Sequence, residues 1–406
     1  MASIGELNIG ATADEHGIAH PSAIVCPLLT PFEKDVAWQN VNGDWLVTAK
    51  ASLPYLCARS PSVLPFDVVK QEGMVALTQA LDLFSVQLNQ TANLSKPGDT
   101  FFALYRENDR QALRIHATFD MPISIDFSVK VLDKDGNERP EPERPLPKWD
   151  RAFRYYRLSQ LAADVYEAYR NLYLAFEALV AAHYPRGGNE REGAWIRRCF
   201  QAIHARQNLS DLAPDGHRHA NEYLFGVLYE STRCNLFHAQ KVDSILPYYE
   251  VEAPKIHEAY RLLLSLWRRV AGAMLQISTG GGVVTYKGYR HWMDGVFSEK
   301  ALSIGVSDDT TPTQQGDTHV GGPGFQVAEL QRCQYRGEAA PGIVRIEAHE
   351  SRPQTLPRIC RLGLLLENSL YSISSIDKGL ALTDIDDFHV VFDQRLIQGS
   401  QPRARF

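Results

Sequence analysis

The sequence has no closely spaced cysteines, no long uncharged apolar run and no excess of positive charge. Its six cysteines lie singly along 406 residues, without the spacing of a metal site, so we expect reduced thiols in a reducing compartment. The N-terminus lacks the basic and apolar segments of a signal peptide, and no apolar stretch approaches the roughly 18 residues of a membrane span. We therefore expect a cytoplasmic protein without a membrane partner.

The overall charge constrains the class of partner. The formal net charge is −6, with 22% charged and 44% hydrophobic residues. These values are typical of a globular chain and argue against a surface coated with nucleic-acid-binding positive charge, although a local basic groove is compatible with them. The length predicts two or three domains.

Hydrophobic patterning divides the chain into four stretches. Residues 1–137 and 283–406 contain short runs of β-forming residues, and both are predicted to be β-rich. Residues 138–149 are rich in proline and charge, which predicts a linker. Residues 150–277 have helical periodicity and are predicted to form an up-and-down helical bundle. The expected fold class is α+β and multidomain, with a central helical bundle flanked by β-rich N- and C-terminal domains.

The prediction of helices rests on apolar spacing. From Leu161 to Leu179 the apolar positions recur in steps of four and three, which places them on one helix face. Further helices are predicted at about 191–206, 220–241 and 254–277.

One segment of the predicted helix at 220–241 carries polar groups suited to chemistry. Arg233, Asn235 and His238 place a guanidinium, an amide and an imidazole on an otherwise largely apolar helix, and Lys241 follows. The Cα atoms of Arg233 and His238 would lie about 140° apart around an α-helix. Both side chains could still converge on a ligand lying across it.

The spacing of Arg233 and His238, late in a helical region, resembles the R-x4-6-H motif of HEPN domains. The local string Arg-Cys-Asn-Leu-Phe-His-Ala is similar to forms found in that superfamily. Residues 169–182 also resemble its first long helix, in which Glu177 would match a buried glutamate. The resemblance covers about residues 150–277.

The resemblance implies a metal-independent endoribonuclease without a cofactor, acting in defence or stress. In such chemistry a neutral imidazole at His238 takes the proton of the RNA 2′-OH, and the imidazolium protonates the leaving group, giving a 2′,3′-cyclic phosphate. Arg233 would stabilise charge on the phosphate, Asn235 would orient the imidazole or donate to phosphate, and Glu177 and Lys241 would support the site. The implied partners are RNA, tRNA included, and a second copy of the chain bound through the helical bundle.

A structural interpretation competes with this one. Cys234 stands where the family usually has a polar residue, and Ala239 stands where glycine is frequent. The guanidinium could simply pair with Glu177 or Glu230 while His238 is a core residue. A non-catalytic HEPN module that binds nucleotide or mediates dimerisation is therefore the second hypothesis, and a structural partner in a larger complex is the third.

A second polar cluster, formed by His217, Arg218 and His219, precedes the same predicted helix. It completes no metal-ligand spacing, so a solvated loop is the simpler interpretation, with a role in gripping RNA as the alternative. The R-x4-6-H spacing also recurs elsewhere, at Arg110 with His116 and at Arg198 with His204.

Overall fold

In a computed structural model of the chain, the described residues are 2–10, 17–40, 43–88, 92–95, 99–123, 134–135, 137, 148–162, 164–215, 217–240, 244–247, 253–277, 284–314, 316–330, 332–351 and 358–398. The chain divides into two compact units. A sheet unit comprises Met1–Met121 and Thr285–Leu396, and a helical unit comprises Pro122–Val284 and Ile397–Phe406.

The strands of the described residues come from both ends of the chain. They are β1 (Ala2–Ile4), β2 (Leu7–Gly10), β3 (Ser22–Pro27), β4 (Val36–Gln39), β5 (Leu46–Ala49), β6 (Tyr55–Ser60), β7 (Thr100–Glu107), β8 (Arg110–Ile123), β9 (Leu302–Ser307), β10 (Val327–Leu330), β11 (Gln334–Ala340), β12 (Ile343–Ser351), β13 (Ile359–Leu366), β14 (Ser369–Leu382) and β15 (Asp387–Gln398).

The described helices are α1 (Phe66–Leu88), α2 (Arg151–Leu161), α3 (Val165–His183), α4 (Glu192–Arg206), α5 (Ala220–Leu224), α6 (Cys234–Phe237), α7 (Ala253–Leu275) and α8 (Tyr286–Phe297). A 3-10 turn covers Ser210–Leu212, and a π-helical segment, Phe225–Arg233, joins α5 to α6. Of these helices, α1 and α8 belong to the sheet unit and the others to the helical unit.

Two large sheets form the framework, and the expected fold class, a central helical bundle flanked by two β-rich domains, is wrong. The strand orders are β10-β9-β13-β14-β1-β2 and β11-β12-β15-β8-β7-β3-β6-β5-β4. Each sheet therefore contains strands from before and after the helical segment. Local hydrophobic patterning identifies a strand but does not specify its partner, because the hydrogen bonds of a sheet join residues far apart in sequence.

The pairing of β1 with β14 shows how the two ends of the chain meet. Ala2 lies opposite Leu382 and Ile4 opposite Leu380 in an antiparallel register. All four side chains are buried, with at most 9% exposure. A slip of one residue would turn each strand's apolar side chains to the opposite face, so this burial fixes the register.

Helix α1 covers part of the nine-stranded sheet. Its buried residues Val69, Leu77 and Phe84 share a core with sheet residues such as Ile24 and Phe101. The helix begins at Phe66 and ends at Leu88, inside a stretch that was predicted to be β-rich. The helix is amphipathic, because it buries an apolar face against the sheet and exposes polar residues on its other side.

The helical unit has a core of its own, centred on α3. Val165, Tyr169, Leu172 and Phe176 are at most 5% exposed. The predicted periodic face is therefore present from Val165 onwards, whereas Leu161 is 62% exposed because it ends the separate helix α2. The Asp164 carboxylate caps the new helix by accepting from the Glu167 amide at 2.9 Å.

No helix among the described residues is both long and apolar enough to cross a membrane. The predicted linker at 138–149 lies almost entirely outside the described residues, as does Lys241.

A partly buried charge network should contribute to the stability of the sheet unit. Arg395 binds Asp99 through two hydrogen bonds of 2.9 and 2.8 Å, and it also contacts Asp120 at 2.7 Å. Arg395→Met removes these charge-assisted hydrogen bonds from both carboxylates and should lower the free energy of unfolding by about 1–3 kcal/mol. Urea denaturation measures this, with Lys50→Met as the control. Lys50 pairs with the exposed Asp35, so its loss should change the free energy of unfolding much less, and equal effects of the two substitutions would contradict this prediction.

Candidate active site

The polypeptide around Arg233 is not a continuous α-helix. The helix α5 passes at Phe225 into the π-helical segment, which ends at Arg233, and the Cys234 amide donates to the Tyr229 carbonyl five residues back. The Tyr169 hydroxyl donates to the Leu228 carbonyl at 2.6 Å, so α3 binds the segment from the side. Segments of π-helix are rare in proteins. Those that do occur are often found at functional sites.

Arg233 is held by a carboxylate and three aromatic rings. Its Nη2 atom lies 2.6 Å from Glu192 Oε1 at the start of α4, in an ion pair that is not aligned as a hydrogen bond. The guanidinium carbon lies 5.9, 5.5 and 5.2 Å from the ring centroids of Tyr173, Tyr229 and Phe237. The side chain is only 12% exposed, so its charge is compensated inside the unit.

The structure brings His238 to Arg233. Helix α6 ends at Phe237, short of the predicted end at residue 241, and His238 has φ −126° and ψ 84°, outside helical geometry. This turn places His238 Nε2 3.3 Å from Arg233 Nη1. Because a guanidinium can only donate, Nε2 must be the unprotonated nitrogen in this contact. The imidazole is exposed to solvent, so a mostly buried guanidinium lies beside a solvent-accessible imidazole.

Asn235 and Glu177 occupy different positions around this pair. Asn235 is half-buried, and its carbonyl accepts from the Ile245 amide at 2.8 Å, while its side chain has no hydrogen bond to a described residue. Glu177 is half-buried on α3. The carboxylate that pairs with Arg233 is Glu192 rather than Glu177, and Glu230 instead lies 3.6 Å from Arg197.

Burial and like charge perturb the acids around Arg233. Burial, and then the negative charge of Glu192, raises the pKa of the Glu177 carboxyl, although Arg233 partly offsets this. Burial and Glu192 also raise the pKa of Tyr229 to about 12, and burial raises that of Tyr173. Both phenols are therefore neutral at neutral pH.

His217, Arg218 and His219 are exposed to solvent, and none of them forms an ion pair with another described residue. The His217 ring lies 4.9 Å from the Tyr223 ring, and His219 precedes α5 without a side-chain cap. Among the residues that the structure describes, no group of three or more His, Cys, Asp or Glu side chains is placed to hold a metal ion.

The two other sequence matches do not form pairs of this kind. Arg110 lies 2.9 Å from Asp387, and His116 lies 3.2 Å from Asp393. Arg198 binds Glu190, and the His204 ring accepts from a backbone amide.

Three residues that contact Arg233 were missed by the sequence analysis, namely Glu192, Tyr173 and Tyr229. The sequence could have indicated the two tyrosines. Tyr229 lies four residues before Arg233, and Tyr173 lies four residues before Glu177, which is the spacing of neighbours on one helix face. No sequence pattern indicated Glu192, because it lies 41 positions before Arg233 and reaches it from a different helix.

No protein-family model, no curated protein and no solved structure matches this chain. The likeness to HEPN domains therefore stays a prediction from the sequence motif.

The shifted acids give opposite pH dependences that can be measured. A carboxyl whose pKa is raised in the folded state is destabilising when ionised, and this penalty disappears as the pH falls through the raised value towards 4.5. Glu177→Gln should therefore raise the melting temperature at pH 7, with a gain that shrinks to nothing near pH 4. Thermal melts over pH 3.5–8 test this.

Glu190→Gln is the matched control with the opposite sign. Hydrogen bonds from Arg198 and from the Gly187 amide lower the pKa of Glu190 to about 2. Its ionised form is stabilising above about pH 4.5, and this contribution is lost as the pH falls towards 2. The substitution should therefore lower the melting temperature at pH 7. A Glu177→Gln protein that melts lower than wild type at pH 7 would contradict the analysis.

Proposed function

We propose that this protein is a metal-independent endoribonuclease that cleaves RNA at the Arg233–His238 pair. The observation that carries the proposal is the 3.3 Å contact between a guanidinium fixed in the helical unit and a solvent-exposed imidazole. These are the two groups that transphosphorylation of RNA requires, an anion binder and a proton carrier active near neutral pH. The expected substrate is RNA, including tRNA, in the cytoplasm.

The proposed reaction begins when a phosphate oxygen accepts the Arg233 Nη1 hydrogen bond. This releases His238 Nε2, which takes the proton of the ribose 2′-OH as the 2′-oxygen attacks phosphorus. The bond from phosphorus to the 5′-oxygen breaks, and an imidazolium returns a proton to that leaving oxygen. The products are a 2′,3′-cyclic phosphate and a 5′-hydroxyl. We further propose that the Asn235 side chain, which has no hydrogen bond to a described residue, donates to the phosphate after substrate binds.

The reaction geometry favours a homodimer through the helical unit. The attacking and leaving oxygens lie on opposite sides of phosphorus, so the base is needed on one side and the acid on the other, while each chain supplies one His238. Exposed apolar side chains of the helical unit, Leu158 and Leu161 of α2, support self-association. A second copy would supply the second imidazole.

Cleavage of total RNA and tRNA in EDTA tests the proposed function. His238→Ala should lower kcat by about 10²–10⁴-fold with little change in KM, because it removes proton transfer. Arg233→Ala should lower kcat/KM by a similar factor, because it removes phosphate stabilisation. His183→Ala is the control, since this exposed histidine ends α3. The wild-type product should carry a 2′,3′-cyclic phosphate, and 2′-O-methyl RNA should resist cleavage.

Equal cleavage by wild type and both variants would exclude the Arg233–His238 pair as the catalytic site. No cleavage by a folded wild-type protein, with circular dichroism and light scattering as checks, would remove the nuclease proposal. Retained cleavage of 2′-O-methyl RNA would exclude the 2′-OH mechanism.

A second candidate is a non-catalytic module that binds RNA or nucleotide, and the ion pair of Glu192 with Arg233 favours it. A carboxylate 2.6 Å from the guanidinium competes with phosphate for the same charge. Glu192→Gln keeps the shape of the side chain and removes this competition. In a binding module it should tighten nucleotide binding about tenfold, seen as a larger ligand-induced rise in melting temperature, with no cleavage. In a nuclease it should change the cleavage rate as well.

A further inference from the structure

A second polar site lies entirely within the sheet unit. It is a cavity of about 260 Å³ on the nine-stranded sheet, lined by side chains that include Arg114, Arg332, Arg336, Glu347, His349 and His389. These residues come from the adjacent strands β11, β12, β15 and β8 and from the residue at position 332, just before β11. The cavity therefore has a floor of fixed backbone, which is the kind of support that a precise binding site needs.

Strand register places the two histidines together. His349 of β12 lies directly opposite His389 of β15, and Glu347 lies opposite Val391. Positions two apart in a strand share a face, so all four side chains project to the same side of the sheet. The imidazole rings stack with centroids 4.5 Å apart. Asp387 Oδ1 accepts a hydrogen bond from His349 Nε2 at 2.9 Å.

Carboxylates neutralise only part of the positive charge on this face. Arg345 binds Asp393 in two hydrogen bonds of 2.8 and 2.9 Å, outside the cavity. Arg336 Nε lies 3.0 Å from Glu347 Oε2.

Arg114 and Arg332 remain after these pairs are counted. Neither forms an ion pair with a carboxylate in the described part of the chain. The three arginines of the cavity lining outnumber its one carboxylate, Glu347, by two, in a chain of net charge −6.

Arg114 is oriented by packing and not by a counter-ion. Its guanidinium carbon lies 4.1 Å from the Phe66 ring centroid and 5.8 Å from that of Tyr105, and its buried Nε atom has no hydrogen-bond partner in the described residues. Arg332 is exposed and has a φ of 54°, which a residue with a Cβ rarely adopts. Such strained backbone is concentrated at binding and catalytic sites.

A second cavity in the same unit lacks these features. It is lined by Arg361, which is only 5% exposed and lies 3.3 Å from Asp309 and 3.5 Å from Asp317. Thr311 completes this network. Since two carboxylates surround one guanidinium, its charge is fully compensated and we interpret it as structural.

We propose that the cavity between Arg114, Arg332 and His389 binds a small molecule carrying a phosphate group. Guanidinium forks match phosphate oxygens in two parallel hydrogen bonds, and two uncompensated arginines supply the charge that a phosphate monoester needs. The volume lies just below the roughly 300–1,000 Å³ of typical ligand pockets, which fits a compact ester better than an extended nucleic acid strand. This site uses no residue of the Arg233–His238 pair, so the two proposals are independent.

The state of His389 gives the site a spectroscopic readout. Burial, and then the neighbouring charges of His349 and Arg114, lowers the pKa of His389 to about 4. Tyr105, whose ring lies 6.5 Å away, and the carboxylates of Asp387 and Glu347 are the other titratable groups around it, and the two carboxylates partly offset this lowering. A bound phosphate adds negative charge beside the ring and should move its titration to higher pH.

Calorimetry and thermal melts of the full chain test the proposal, with inorganic phosphate, ribose 5-phosphate and adenosine 5′-monophosphate as probes. We expect saturable binding of at least one probe and a rise of the His389 titration seen by NMR. Arg332→Ala removes an exposed guanidinium and should weaken binding roughly tenfold. Arg114→Lys keeps the charge and most of the packing on Phe66 but loses the fork, and should also weaken binding. Lys300→Ala is the control, because it removes an exposed cation of the same unit.

Each alternative outcome is distinct. Binding by inorganic phosphate alone would identify free phosphate as the ligand within the same chemistry. No saturable binding by a folded protein, or unchanged affinity in both arginine variants, would overturn the proposal. Tight binding of an RNA oligonucleotide through Arg114 and Arg332, without binding of the small probes, would overturn it in favour of a nucleic acid site. Repeating the measurement in His238→Ala should leave binding intact, which separates this result from the nuclease test.

Discussion

The charge of Arg233 has to be compensated away from bulk water, and much of the polar detail of the helical unit follows from that requirement. Glu192 approaches from α4, aromatic rings surround the guanidinium, and the π-helical segment aims the side chain between them. An arginine held in this way loses little freedom when it binds an anion, because its conformation is already fixed. The same compensation reduces the net charge offered to a ligand, so the balance between Glu192 and an incoming phosphate decides what the site can do.

The arginines of the sheet unit fall into two groups, which differ in whether a carboxylate balances their charge. Arg395, Arg361 and Arg345 each lie against aspartates, and these closed networks join residues from distant parts of the sequence. Arg114 and Arg332 have no such carboxylate among the described residues, and both line one cavity. An arginine without a carboxylate partner is costly unless a ligand or solvent balances its charge. We therefore interpret the paired arginines as structural, and we propose a role in ligand binding for Arg114 and Arg332.

Local sequence features predicted local structure well and long-range structure poorly. The apolar periodicity of α3 and the R-x4-6-H spacing identified a buried helix face and two side chains that do lie in contact. The π-helical segment was not predictable, since the sequence that forms it also fits an α-helix, and the partner Glu192 comes from another helix. The flanking β regions were predicted as two separate domains, but β1 and β14 pair across almost the whole chain. Strand partners are set by tertiary packing, which a single sequence does not display.

We propose that His238 and Arg233 act together on RNA, and the chemical nature of the cleavage products distinguishes this reaction from others. Purified wild type, His238→Ala and His183→Ala would be incubated with tRNA in EDTA, and the 3′ ends of any fragments would be identified. The account predicts fragments with 2′,3′-cyclic phosphate ends from wild type and His183→Ala, and a loss of at least about 100-fold in His238→Ala. Cleavage by His238→Ala at the wild-type rate, or the absence of cleavage by folded wild type, would contradict it.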